Sequence, residues 1–341
     1  MSFMKYWANR SGLTGIVAIL MIAGACSKTP TAPTPTPPPP PPPPVANPPS
    51  LTCVEGITRS TINAGGITLD FDTPPVTAGQ GTVNVTCSPG SGSSFPIGAT
   101  EVTCTATDSL SRTGTCSFNV TVHKLPVLSK TRYLAFGDSI TAGEVTFPVG
   151  SSLIGAAAST KQVVVPSAAY PNVLLNTLRG RYAAQAGLME VFNYGLGGEK
   201  VATARNRFVS ALNATRPEVL LLLEGANDIP LGEDGAASTA ANEIRIWVAD
   251  AKARGIRVFL ATPVPGRPGS KTIQPILLVD YANRMRRVAE QEGVTLVDLY
   301  TLMLPDAQRY IGVDGLHPNE AGYARMADLF FQAIQTAFEV R

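Results

Sequence analysis

Histidine is nearly missing from this chain: 341 residues contain two, His123 and His317. Any imidazole chemistry therefore has to use one of those positions. Charge is scarce too, at 15% of residues, and the net charge of +2 comes without a basic stretch. A nucleic-acid partner would need clustered Lys and Arg to neutralise phosphates, so composition argues against one. The five cysteines form no Cys-x-x-Cys pair, which argues against a zinc site. The apolar run Leu13–Ala25 is shorter than the roughly 20 residues that span a bilayer comfortably. No Gly-x-Gly-x-x-Gly is present, and no Lys-Ser/Thr follows the glycines at 195–198, so a phosphate loop is not expected there. No metal cluster or cofactor motif is visible, and none is expected.

What is present begins with a leader. Lys5 and Arg10 precede LTGIVAILMIAGA (13–25), and Cys26 follows directly. A basic start and a short apolar core make a signal peptide over 1–25. Ala23-Gly24-Ala25-Cys26 resembles the lipobox of bacterial lipoproteins. The resemblance implies a diacylglycerol on Cys26 as the new N-terminus. With Ser27 rather than Asp behind it, it implies outer-membrane sorting. Without lipidation, the same leader is an ordinary secretory signal cut near Ala25. Either way the expected location is the bacterial cell envelope or outside. Residues 26–50 are dominated by proline, which fixes φ and lacks an N–H. They read as an extended polyproline tether rising ~3.1 Å per residue.

Residues 51–124 change to short runs of alternating Val, Thr, Ile and Phe, such as GTVNVTCS and TCSFNVTVH, separated by Gly, Pro and Ser. This is an all-β sandwich pattern. Four cysteines fall here: Cys53, Cys87, Cys104 and Cys116. An even number in an exported segment reads as disulfides, and the residues alone leave three connectivities open. VTCSPGSGSSFPIGATEVTCTATDSLSRTGTCSFNVTV resembles a HYR (hyalin repeat) module of immunoglobulin-like fold. That resemblance implies Cys53–Cys116 and Cys87–Cys104. His123, beside Lys124 on the last run, reads as a surface residue.

From 128 to 341 apolar runs alternate with amphipathic segments. RYLAF, MEVFNY, EVLLLLEG, IRVFLATP and VTLVDL read as buried strands. YPNVLLNTLRGRYAA, ASTAANEIRIWVADAKARG and PILLVDYANRMRRVAEQEG read as helices, the last capped by Gly293. The alternation predicts a parallel sheet with helices on both faces, and ligands at the carboxyl ends of its strands. Those ends carry Gly137-Asp138-Ser139, Gly195-Leu196-Gly197-Gly198 and Ala226-Asn227-Asp228; Asp314 and His317 precede the last helix. Serine hydroxyl is a poor nucleophile without an adjacent base. His317 is the only histidine in this region and supplies it. Asp314, three residues earlier, can hold the other ring nitrogen and stabilise the imidazolium. The segment 145–168 between Ser139 and the first helix reads as a long loop suited to a lid or substrate wall.

GDSI, NYGLGG, GAND and DGLH, in this order, resemble the four blocks of the SGNH (GDSL) hydrolases. No Gly-x-Ser-x-Gly elbow occurs, so the ordinary α/β-hydrolase reading fails. The resemblance implies a flavodoxin-like three-layer α/β/α domain over 128–341 and a serine esterase with Ser139, His317 and Asp314 as its triad. It implies an oxyanion hole from the N–H groups of Ser139 and Gly198 and the Asn227 side chain. Glu199 departs from the Asp of many members. The substrates it allows are short-chain acyl esters or acetylated polysaccharide. An acyltransferase using the same site, or a non-catalytic surface lipoprotein, are the alternatives in other classes.

Overall fold

The computed structural model describes residues 47–149, 159–229 and 235–340. The leader, Cys26 and most of the proline-rich tether lie outside them.

Residues 50–124 are strands only. Four of them pair in the order Ile57–Thr61, Thr113–Lys124, Gly98–Thr107, Asn84–Ser88, and two short ladders complete the module. Alternate residues of the long strands point inward. Val102 and Cys104 thereby meet Phe118, Val120, Val122 and Phe95 in one small core. Both disulfides form as expected, Cys53–Cys116 and Cys87–Cys104. His123 is exposed.

The rest of the chain builds a five-stranded parallel sheet from β1 (Arg132–Gly137), β2 (Glu190–Gly195), β3 (Val219–Leu223), β4 (Arg257–Ala261) and β5 (Thr295–Val297). The order across the sheet is β2-β1-β3-β4-β5. That is the flavodoxin-like order, and its direction reverses beside β1. The helices are α1 (Ser139–Ala142), α2 (Tyr170–Arg181), α3 (Val201–Thr215), α4 (Ala236–Ala253), α5 (Pro275–Glu292) and α6 (Glu320–Phe338), with short turns Leu299–Met303 and Ala307–Tyr310 between the last two.

Strand alternation distributes the core. Tyr133 and Ala135 of β1, with Leu221 and Leu223 of β3, face α2 and α6 through Leu174, Leu178, Tyr323 and Phe330. Leu134, Phe136, Leu220 and Leu222 face α3, α4 and α5 through Phe208, Trp247 and Tyr281. On this second face Phe208 stacks on Trp247 with centroids 4.9 Å apart, and Phe136 meets both edge-on. The sheet is thus covered on both sides, and the ends of its strands are the places left for polar chemistry.

One expectation needs correction. Segment 145–168 is not a plain loop. Glu144–Val149 and Ser159–Val164 pair antiparallel as a hairpin, in register Thr146↔Gln162. Pro148 inside the first strand hides it from a periodicity reading, because proline is confined to edges and bulges.

Candidate active site

β1 ends at Gly137, and the chain turns at once into the four-residue α1. Asp138 caps that turn: its carboxylate accepts the N–H of Ile140 at 2.9 Å. Ser139 is therefore held in the first turn at the carboxyl end of the sheet, beside the point where strand order reverses. It is 4% exposed, His317 is 2% and Asp314 has no exposure. Interactions at such a site are far less screened than in water.

The loop before α6 delivers the other two groups. Asp314 Oδ1 accepts the N–H groups of Leu316 and His317, both at 3.1 Å. Its Oδ2 lies 2.6 Å from His317 Nδ1. His317 Nε2 lies 2.9 Å from Ser139 Oγ. Asp314 is thus both a loop acceptor and the partner of the imidazole. Burial works to raise its pKa, but the His317 side chain and the two backbone donors prevail and hold the carboxyl below its usual range. An ionised Asp314 fixes Nδ1 as the protonated nitrogen, which leaves Nε2 to accept a proton from Ser139.

The glycine and asparagine blocks come together. Asn227 Nδ2 donates to the carbonyl of Glu199 at 2.9 Å, one residue beyond Gly198. Its amide carries a second hydrogen for another acceptor. Gly198 is exposed with φ +75°, and a side chain there would meet open space. Gly225, which opens the GAND block, has the stronger steric reason. At φ +109° a Cβ would overlap the Tyr281 hydroxyl and ring, and that hydroxyl donates to the Glu224 carbonyl at 3.0 Å. Asp228, last of the block, accepts the Val201 N–H at 3.1 Å and so caps α3 from a distance.

Two residues outside the expected set matter here. Arg207 of α3 donates to the carbonyls of Tyr194 at 2.6 Å and Gly137 at 3.0 Å, so it ties the ends of β2 and β1 together. It also pairs with Glu199 and lies over the Phe136 ring, 4.0 Å from its centroid. The departure at Glu199 thus has a structural use as the anchor of this clamp. The second residue is Glu144, whose Oε2 lies 3.8 Å from His317 Nε2. It stands inside the serine block's own stretch, GDSITAGE; a lone carboxylate before an apolar strand was the available signal.

The carboxylates beneath the site are strongly perturbed. Burial pushes Asp138 up to about 6, against the N–H groups of Ile140 and Ala226 and the charge of His317. Burial likewise drives Glu224 well above its ordinary value, and the charges of Asp138 and Glu199 add to this.

The model of the GDSL-like lipase/acylhydrolase family matches residues 135–325, and that of the HYR domain residues 46–122. An acetylxylan esterase of Xylanibacter ruminicola is 35% identical over 88 residues, which are 26% of this chain and 18% of that protein. The chain therefore matches under a fifth of that relative's length. A lipase/acylhydrolase structure from Enterococcus faecalis superposes with TM-score 0.50 at 20% identity, covering 61% of this chain and 97% of that one. A catalytic mutant of the acetylxylan esterase Axe2 from Geobacillus stearothermophilus gives TM-score 0.47 at 19% identity, over 61% and 95% of the two chains. The first of these structural likenesses concerns the fold alone.

Proposed function

The chain belongs to the GDSL-like lipase/acylhydrolase family of ester-hydrolysing serine enzymes, and from that premise we propose that Ser139 forms an acyl-enzyme with short carboxylic esters, acetylated carbohydrate foremost. The observation that carries this reading is the unbroken chain from Ser139 Oγ through His317 to Asp314, at 2.9 and 2.6 Å.

Ser139 Oγ attacks the acyl carbon while its proton passes to His317 Nε2. The carbonyl oxygen becomes an oxyanion, for which the N–H groups of Ser139 and Gly198 and the Asn227 amide are the assigned donors. One such donor typically contributes about 2.7–4 kcal/mol of transition-state stabilisation. The C–O bond to the alcohol then breaks, and His317 returns its proton to the departing oxygen. Water repeats the sequence on the acyl-enzyme and releases the acid. Acetylated carbohydrate is favoured because the relative matched over 88 residues is named an acetylxylan esterase.

The deciding experiment compares wild type and Ser139→Ala on p-nitrophenyl acetate, butyrate and octanoate, and on acetylated xylan with acetate release as the readout. Wild type should prefer acetyl to octanoyl esters, and Ser139→Ala should lose at least ~10³ in kcat, as removal of a triad member does. Undiminished hydrolysis by Ser139→Ala would refute the assignment.

The proposal extends to location: the leader is cut before Cys26 and the lipidated cysteine carries the enzyme on a proline tether at the cell envelope. Labelled palmitate incorporated by wild type and absent from Cys26→Ser is the expected result; label retained by the variant would count against it.

A further inference from the structure

The hairpin that follows Ser139 turns one face toward His317. Glu144 opens it, Thr146 follows two residues on, and Gln162 lies opposite Thr146 in the register. Side chains two apart on a strand, and those directly opposite, share a face. The distances agree. Glu144 Oε2 is 3.8 Å from His317 Nε2, and Gln162 Nε2 is 3.5 Å from the same atom.

Neither group is needed to orient the imidazole. Asp314 already holds Nδ1 at 2.6 Å, and 3.8 Å is beyond hydrogen-bonding distance. The Glu144 carboxylate lies against Gly197, with its Oε1 in the space that a Cβ there would take. Its Oε2 is buried and has no hydrogen-bond partner among the described residues. A buried carboxylate oxygen without a donor is costly, and such groups mark functional places. Gln162 is held from the outer side, where its Oε1 accepts from Lys271 Nζ. That leaves its amide hydrogens directed to the His317 side.

The atom these groups surround sets their meaning. His317 Nε2 is the nitrogen that protonates the leaving oxygen, so that oxygen must come within hydrogen-bonding distance of it. Groups 3.5 to 3.8 Å from the same nitrogen then border the carbon next to the leaving oxygen. An acceptor and a donor placed there match a hydroxyl, which both donates and accepts.

We propose that Glu144 and Gln162 are specificity residues that bind a free hydroxyl on the carbon next to the one that bears the scissile ester, so that the preferred alcohol is a vicinal polyol rather than a simple alcohol. This rests on the esterase reading of Ser139. The bonds made and broken are those given above; the hairpin adds only recognition of the alcohol that leaves.

The test uses two substrates that differ in one group: cyclohexyl acetate and the monoacetate of cis-1,2-cyclohexanediol. Wild type should favour the diol ester at least about tenfold in kcat/KM, the scale of one hydrogen bond to a charged partner. Glu144→Gln should reduce that preference to about twofold; any loss from removing a charge beside His317 falls on both esters and cancels in the ratio. Gln162→Ala, on the exposed strand where folding is not at stake, should reduce it partly, through KM. Equal losses on both esters would overturn the proposal and assign Glu144 to the imidazole itself. Equal rates for the two esters in wild type would overturn it as well. Failure of wild type on these esters and on p-nitrophenyl acetate alike would instead strike the esterase reading, and this inference with it.

Discussion

His317 shows how far single residues can be read from sequence. With one histidine after residue 124, counting singles out the candidate base, and Asp314 follows from its spacing on a turn. Glu144 and Glu224 escaped that logic, because a carboxylate's role depends on what the fold packs around it. Glu224 ends up with Oε2 unpartnered among the described residues and Oε1 accepting only the Gly225 N–H at 3.3 Å. Its folded pKa is raised by burial first, then by Asp138 and Glu199. A raised carboxyl pKa means that the folded state holds its proton where the unfolded chain, near 4.5, has lost it. Stability from this group is therefore complete below pH 4.5 and is lost as pH rises through the folded value. Glu224→Gln mimics the neutral carboxyl. It should leave Tm unchanged near pH 4 and raise it at pH 8. Melting curves at the two pH values decide the matter, and a Tm gain equal at both would contradict the burial argument.

At the level of elements, the central strands β1, β3 and β4 were legible because each carries an unbroken apolar run, as a sheet covered on both faces requires. Helix α3 was not, and its N-terminus explains why. Lys200 at the cap position makes no side-chain capping bond, and the cap comes instead from Asp228 on another loop. A cap supplied 27 residues away leaves no local mark. Yet α3 carries the clamp that sets the ends of β1 and β2. Arg207 holds the Tyr194 and Gly137 carbonyls and the Glu199 carboxylate, and so fixes the loop that includes Gly198. Arg207→Met keeps much of the apolar stem but removes every donor. The loop would then lose its anchor while the triad keeps its own bonds. Since a displaced oxyanion donor acts only in the transition state, kcat should fall about 10–100-fold with KM nearly unchanged, a weaker loss than deleting the donor outright. Steady-state kinetics on p-nitrophenyl acetate provide the check. A rise in KM at constant kcat would place Arg207 in substrate binding instead.

For the whole molecule the question is whether the β-module and the hydrolase sheet stand or fall together. The module buries only a handful of large apolar side chains, chiefly Phe95, Phe118 and the valines between them. The sheet has two cores, one on each face. The module compensates with cross-links that close loops of 63 and 17 residues. On the chain-entropy model such loops contribute about 4 and about 3 kcal/mol. Together they are comparable with the entire stability of a typical small domain, about 5–15 kcal/mol. The hydrolase region has no such dependence, since no cysteine follows Cys116. Replacing Cys53, Cys87, Cys104 and Cys116 by serine should therefore unfold the module while p-nitrophenyl acetate hydrolysis stays within about twofold, because the triad and its supports keep every bond they make. Limited proteolysis of the variant should remove the chain up to about residue 124 and leave a resistant, active fragment beginning near 127. If activity is instead lost in the same transition that exposes the module to protease, the two regions form one cooperative unit. The module would then be a structural support of the enzyme rather than an appended part.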